Sequence, residues 1–132
     1  RSHRTGAVTA VVAASLAFAA AAAAWGPGAL EAWKAPRALA AELPADQTRR
    51  DVRVAAFGYF QPSLVFYCRR EVFFPKSEED ALDFLNGPLP SYLFVPAERW
   101  PDMQAKAQRT YRLLGPRYDL YDGHDVVVVT NE

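Results

Sequence analysis

Cysteine occurs once in the 132 residues, methionine once and histidine twice, and these scarcities exclude a good deal of chemistry. A lone Cys68 cannot close an internal disulfide and belongs to no metal-ligand spacing. It ends the apolar run Leu64 to Cys68, where a buried thiol acting as a small hydrophobe is expected. Net charge is lacking as well: 15 Lys+Arg face 15 Asp+Glu, so there is no basic footprint for a nucleic acid. Ser63 stands in no Gly-x-Ser-x-Gly elbow, and there is no phosphate-cradling glycine loop of the Walker or Rossmann kind. His124 sits in Asp122-Gly123-His124-Asp125, which reads as a solvated turn. Glu78-Glu79-Asp80 is a negative first helical turn, favoured for structural reasons before any metal is invoked. No catalytic or metal-ligating residue is therefore expected in this chain.

Charged side chains are also missing from the beginning of the chain, where Arg1 and Arg4 are the only ones before Glu31. The 21 residues from Thr5 to Trp25 carry none, close to the ~20 that a helix needs to cross a bilayer. Arg1, His3 and Arg4 on one flank and Trp25 on the other predict a transmembrane helix with a cytoplasmic start (residues 1–4) and Trp25 at the outer interface. The segment is nonetheless rich in alanine, with Ala19 to Ala24 unbroken, so its insertion alone is marginal. Small residues of this kind suit a helix packed among others in a membrane bundle. A cleaved signal peptide with an Ala-x-Ala exit at Ala22 to Ala24 is the competing reading. A soluble helix would need a polar face, which is not there. The start Arg-Ser-His-Arg, without Met, predicts a piece of something longer.

The remainder of the chain is expected outside the cytoplasm, as a linker and connecting helix over 26–50 and an α/β domain over 51–132. Residues 29–43 have helical composition, with Pro36 in a first turn, Leu39 and Leu43 four apart, and Pro44 as a stop. Val52 to Tyr59 alternates as a half-buried strand does, and Leu64 to Cys68 reads as a strand buried on both faces. Val72-Phe73-Phe74 is a further short extended piece. Ser77 is an N-cap candidate for a helix ended by Gly87-Pro88. Ser91 to Val95 is a strand, and a helix runs from Pro101 or Asp102 to about Arg109. Tyr111–Leu114, Tyr118–Tyr121 and Val126–Thr130 are strands, the last two joined by an Asp122-Gly123 hairpin turn. Helices interspersed among strands predict a small mixed sheet covered by helices.

The candidate ligand-binding residues are Arg69, Arg70, Ser63 and Tyr59. With Arg69-Arg70 closing a buried strand near the turn Gln61-Pro62-Ser63, they would lie at a sheet end, where open α/β sheets bind ligands. Two guanidinium groups there suit a phosphate or a lipid head group. Solvated charges at a strand exit are the plainer explanation.

The segment Phe57-Gly58-Tyr59-Phe60-Gln61-Pro62-Ser63-Leu64-Val65-Phe66-Tyr67 resembles the C-terminal soluble domain of multi-spanning GT-C glycosyltransferases, the aminoarabinose-transferase-like and protein-mannosyltransferase-like enzymes. The order from the apolar segment through Pro36-Arg37-Ala38-Leu39 to Val126-Val127-Val128-Val129 is similar over most of the chain. The resemblance implies the last span and extracytoplasmic domain of an enzyme that moves a sugar from a polyprenyl-phosphate donor to an acceptor at the outer face of the inner membrane. The catalytic carboxylate, and any divalent metal the parent uses, would lie among N-terminal helices outside this chain. The implied partners are the bilayer, the parent's membrane bundle and a lipid-linked sugar. A membrane-tethered or secreted binding module without an enzymatic parent is the alternative from another class.

Overall fold

A computed structural model of the protein describes residues 2–32, 35–44 and 51–132, which fall into two units. The first is one helix, α1 (Ser2–Ala32). Within it Thr5–Ala29, 25 residues, is long and apolar enough to cross a membrane. At 1.5 Å per residue that is about 37 Å, against a hydrocarbon core of about 30 Å. The helix continues past Trp25, the expected end of the span, through Gly26, Pro27 and Gly28. Thr9 Oγ1 donates to Thr5 O at 2.9 Å, so this polar side chain is satisfied inside the helix.

The second unit is a three-layer α/β domain made of α2 (Ala35–Ala40), β1 (Arg53–Ala56), α3 (Pro62–Cys68), α4 (Glu78–Asn86), β2 (Ser91–Pro96), α5 (Trp100–Lys106), β3 (Arg112–Asp119) and β4 (His124–Thr130). The strands form one mixed sheet in the order β1-β2-β4-β3, with β1 and β2 parallel and the other pairs antiparallel. The two central strands are apolar on both faces, because helices cover both. Tyr92, Phe94, Val126 and Val128 face a core closed by Leu39 and Leu43 and by Leu64 and Cys68 of α3. Their neighbours Leu93, Val95, Val127 and Val129 face a second core with Ala81, Leu82, Leu85, Trp100 and Met103 of α4 and α5. Between β1 and β2 the chain passes from one face to the other around the free edge of β1, where Phe73 forms a parallel bridge with Ala55.

Helix α4 follows its sequence closely. Ser77 Oγ accepts from Asp80 N–H at 3.1 Å and Asp80 Oδ2 accepts from Ser77 N–H at 3.2 Å, a reciprocal capping box. Two expectations fail. Leu64 to Cys68 is not a buried strand but the body of α3: Pro62 supplies the fixed φ of a first turn. Only Leu64 and Cys68, four residues apart on one face, are buried, whereas Val65 and Phe66 are exposed. The apolar run is thus a one-sided helix with apolar residues left outside. The strands expected at Tyr111–Leu114 and Tyr118–Tyr121 are a single β3, with a register shift between Leu114 and Arg117. Gly115-Pro116 reads as a strand break, but β3 is an edge strand, where a bulge accommodates a proline without costing a ladder bond. Of the helix expected over 29–43, Ala35–Ala40 is helical with Leu39 and Leu43 both buried, while residues 33 and 34 lie outside the described residues. So do residues 45–50, the end of the linker expected over 26–50.

Candidate functional site

Because β1 and β2 are parallel, their C-terminal ends open on the same side of the sheet, and the β3–β4 turn returns to that side since β4 starts opposite Pro96. A cleft of about 440 Å³ lies there, bounded by Gly58, Tyr59 and Phe60 after β1, by Phe74, and by Asp122 and His124 of the turn. Its position outside the carboxyl ends of parallel strands and its size are those of ordinary ligand sites. Gly58 has φ +66°, a left-handed bend that calls for glycine, and an added Cβ would lie 3.2 Å from the Arg99 guanidinium.

The walls are held by one buried polar link. Tyr59 Oη donates to Asp119 Oδ2 at 2.7 Å, and Asp119 Oδ1 accepts from the N–H groups of Tyr121 at 2.7 Å and Asp122 at 3.2 Å. Asp119 O also accepts from Gly123 N–H at 2.8 Å. Asp119 thereby closes the β3–β4 turn, and Tyr59 fastens that turn to the loop after β1. Burial, and then the bond to Asp119, raise the Tyr59 phenol well above its ordinary range. The hydroxyl is a neutral donor committed to Asp119.

Two other features give the cleft its chemistry. Phe60 and Phe74, with ring centroids 5.5 Å apart, are both exposed, Phe60 at 63%. They form an apolar rim, joined at this end of the sheet by exposed Leu120 and Tyr121 in the turn. His124 Nδ1 lies 3.1 Å from Asp122 O. A carbonyl only accepts, so in the neutral ring Nδ1 carries the proton and Nε2 is left with its lone pair. Nε2 is buried and has no hydrogen-bond partner among the described residues. The expected solvated turn is right for Asp122, Gly123 and Asp125, all exposed, and His124 is the member turned inward.

The four residues singled out by sequence are not brought together. Tyr59 lines the cleft, and Ser63, half-buried, lies in the first turn of α3. Arg69 and Arg70 come after the other end of that helix, about 10 Å along its axis at 1.5 Å per residue. Arg69 is exposed and ends α3 in the left-handed conformation, φ 52°. Arg70 donates through a terminal guanidinium nitrogen to Val52 O beside the start of β1. The pair therefore closes a helix instead of a strand, on the side of the sheet opposite the cleft. Sequence reasoning misses Phe60, Phe74 and His124; the signal for the first is an aromatic run, Phe57-Gly58-Tyr59-Phe60, carried past the end of a strand.

A second cavity, about 610 Å³, lies between Ser77, Glu79 and Asp83 on one side and Lys106 on the other, spanned by the Lys106–Glu78 ion pair at 2.5 Å. It is a solvated polar groove with no buried reactive group, so the cleft at the strand ends is the better candidate. Cys68 is buried on the inner face of α3, in the core against the sheet, and burial pushes its thiol up to about 11, opposed by the nearby Arg70 charge. That is the environment of an inert thiol. Among the described residues no three His, Cys, Asp or Glu side chains gather as metal ligands. No family model, curated protein or solved structure matches the chain.

Proposed function

We propose that this chain is the terminal span and outer domain of a GT-C membrane glycosyltransferase, the class that uses polyprenyl-phosphate sugars, with the catalytic carboxylate on membrane helices outside the chain. The observation that carries the reading is α1. Its described side chains are exposed almost throughout, apolar on every side and mostly small, the surface of a helix that needs both lipid and neighbouring helices to cover it. Arg1 and Arg4 at its start favour a cytoplasmic location for that end by the positive-inside rule, and hence the periplasmic side of the inner membrane for the α/β domain. The segment that resembles the GT-C soluble domain, Phe57 to Tyr67, forms the loop after β1, whose Gly58, Tyr59 and Phe60 supply one wall of the cleft, and most of α3. In this reading the cleft faces the acceptor or the lipid-linked sugar, and the chain alone has no transferase activity.

A membrane-tethered binding module is the second reading, favoured by one observation: the cleft, with its aromatic rim and imidazole, is assembled wholly from residues of this chain. Reading the gene upstream of the Arg1 codon separates the two. Eight or more further apolar spans with an acidic loop residue support the transferase. A Met codon a few triplets before Arg1, with no spans, overturns it in favour of the module.

A further inference from the structure

We propose that Arg53 and Arg70 form an anion site at the outer edge of β1 that takes a phosphoryl group. Both line a cavity of about 410 Å³ together with Glu71, Phe73 and Phe84. Arg70 is held there by its bond to Val52 O, and its Nε is buried with no hydrogen-bond partner among the described residues. The Arg53 guanidinium lies 4.3 Å from the centroid of the Phe84 ring, which itself stacks on Phe73 at 5.7 Å. Gly87 leaves the room for it, since a Cβ at that position would come within 2.6 Å of an Arg53 terminal nitrogen. Two cations are thus positioned on one cavity by separate devices, a backbone carbonyl and an aromatic face.

Neither guanidinium has a carboxylate partner among the described residues, and Glu71, the one acid lining the cavity, is exposed and bonds to neither. Edge capping explains one Arg70 nitrogen and leaves the rest of both forks unused. Half-buried guanidinium groups without a protein acceptor present donors and charge that an anion can take up. A tetrahedral phosphoryl group offers three acceptor oxygens and up to two charges, which two forks satisfy better than a carboxylate does. The site lies at the N-terminal end of β1, away from the cleft, and it stands whether or not the chain belongs to a transferase.

The test uses the full chain in dodecyl maltoside micelles, free of phospholipid, with calorimetric titration at constant ionic strength. The probes are inorganic phosphate, glycerol 1-phosphate and monomeric dihexanoyl phosphatidylglycerol. Saturable binding of the first two assigns the site to free phosphate esters, and binding of the third alone assigns it to a lipid head group; either supports the proposal. Arg53→Gln should weaken binding roughly tenfold or more, and Gly87→Ala, which keeps both charges but displaces Arg53, should weaken it as well. Glu71→Gln, at an exposed side chain, should tighten binding by about threefold or more, since it removes the opposing charge. Two results overturn the proposal: no probe binding better than chloride, or binding left unchanged in both Arg53→Gln and Glu71→Gln, which would mean an adventitious ion only.

Discussion

Tyr59 and Asp119, 60 residues apart, are joined at 2.7 Å with both side chains out of solvent, Tyr59 at 2% and Asp119 at 0% exposure. The bond fastens the loop after β1 to the β3–β4 turn, so it sets the width of the candidate cleft. Tyr59→Phe keeps the ring but leaves a buried carboxylate oxygen without its donor, at a cost of about 1–3 kcal/mol. Urea unfolding of the full chain in micelles should show a lower midpoint with an unchanged slope. A midpoint equal to that of the parent would show the link to be dispensable.

The same burial makes stability depend on alkaline pH. The thiol of Cys68, raised from 9.0 to about 11, and the Tyr59 phenol, raised further from 10.0, are both protonated in the folded state where the unfolded chain has begun to lose those protons. A raised folded value means the contribution is complete below the unfolded value and lost as pH climbs through the folded one. Stability should therefore hold to about pH 9 and then fall, by roughly 1.4 kcal/mol per pH unit for each ionising group. In Cys68→Ala the decline should start about one unit later. Thermal unfolding between pH 8 and 11 measures both, and a flat profile to pH 11 would exclude the linkage.

Capping gives a local test. Ser77 and Asp80 satisfy each other's backbone N–H groups at the start of α4. Ser77→Ala should cost about 1 kcal/mol, and Ser77→Gly only a few tenths. Equal losses for the two would mean that the hydroxyl contributes nothing.

Much of this fold is legible in the sequence for identifiable reasons. Ser77 to Gly87 states its own start and stop, Ser91 to Val95 and Val126 to Thr130 are apolar runs fit only for central strands, and Asp122-Gly123 supplies the hairpin turn, Gly123 having φ +71°. The failures are equally physical. Leu64 to Cys68 has a strand's composition and a helix's burial, and the exposure of Val65 and Phe66 separates them. β3 hides behind Gly115-Pro116 because edge strands tolerate what central ones do not. The site is less legible than the fold, since it depends on how the chain crosses sheet ends. Arg70 stands out in the sequence beside its neighbour Arg69, but the cavity it lines is shared with Arg53, 17 positions earlier.

Both cores close on residues from Ala35 onward. A chain comprising residues 34–132 should therefore be soluble and unfold cooperatively in urea, with a stability of roughly 5–10 kcal/mol, the range of ordinary domains. Dispersed amide NMR signals and a single transition would establish this. Aggregation, or a non-cooperative melt, would show that the domain requires the helix or its surroundings in order to fold.

Insertion of α1 rests on an alanine-rich segment whose most strongly apolar members are Val8, Val11, Val12, Leu16 and Phe18. Leu16 lies near the middle of Thr5–Ala29. On the insertion scale, exchanging a central leucine for arginine costs about 3–4 kcal/mol. For a segment near balance that shifts the inserted fraction by roughly a hundredfold or more. Leu16→Arg should thus move the chain from the carbonate-resistant membrane fraction to the soluble one, whereas Ala29→Arg, at the C-terminal end of the segment where the side chain snorkels to the interface, should leave it in place. Retention of both variants would mean that neighbouring helices or a partner hold α1 in the membrane. Loss of both would mean that Thr5–Ala29 does not span it.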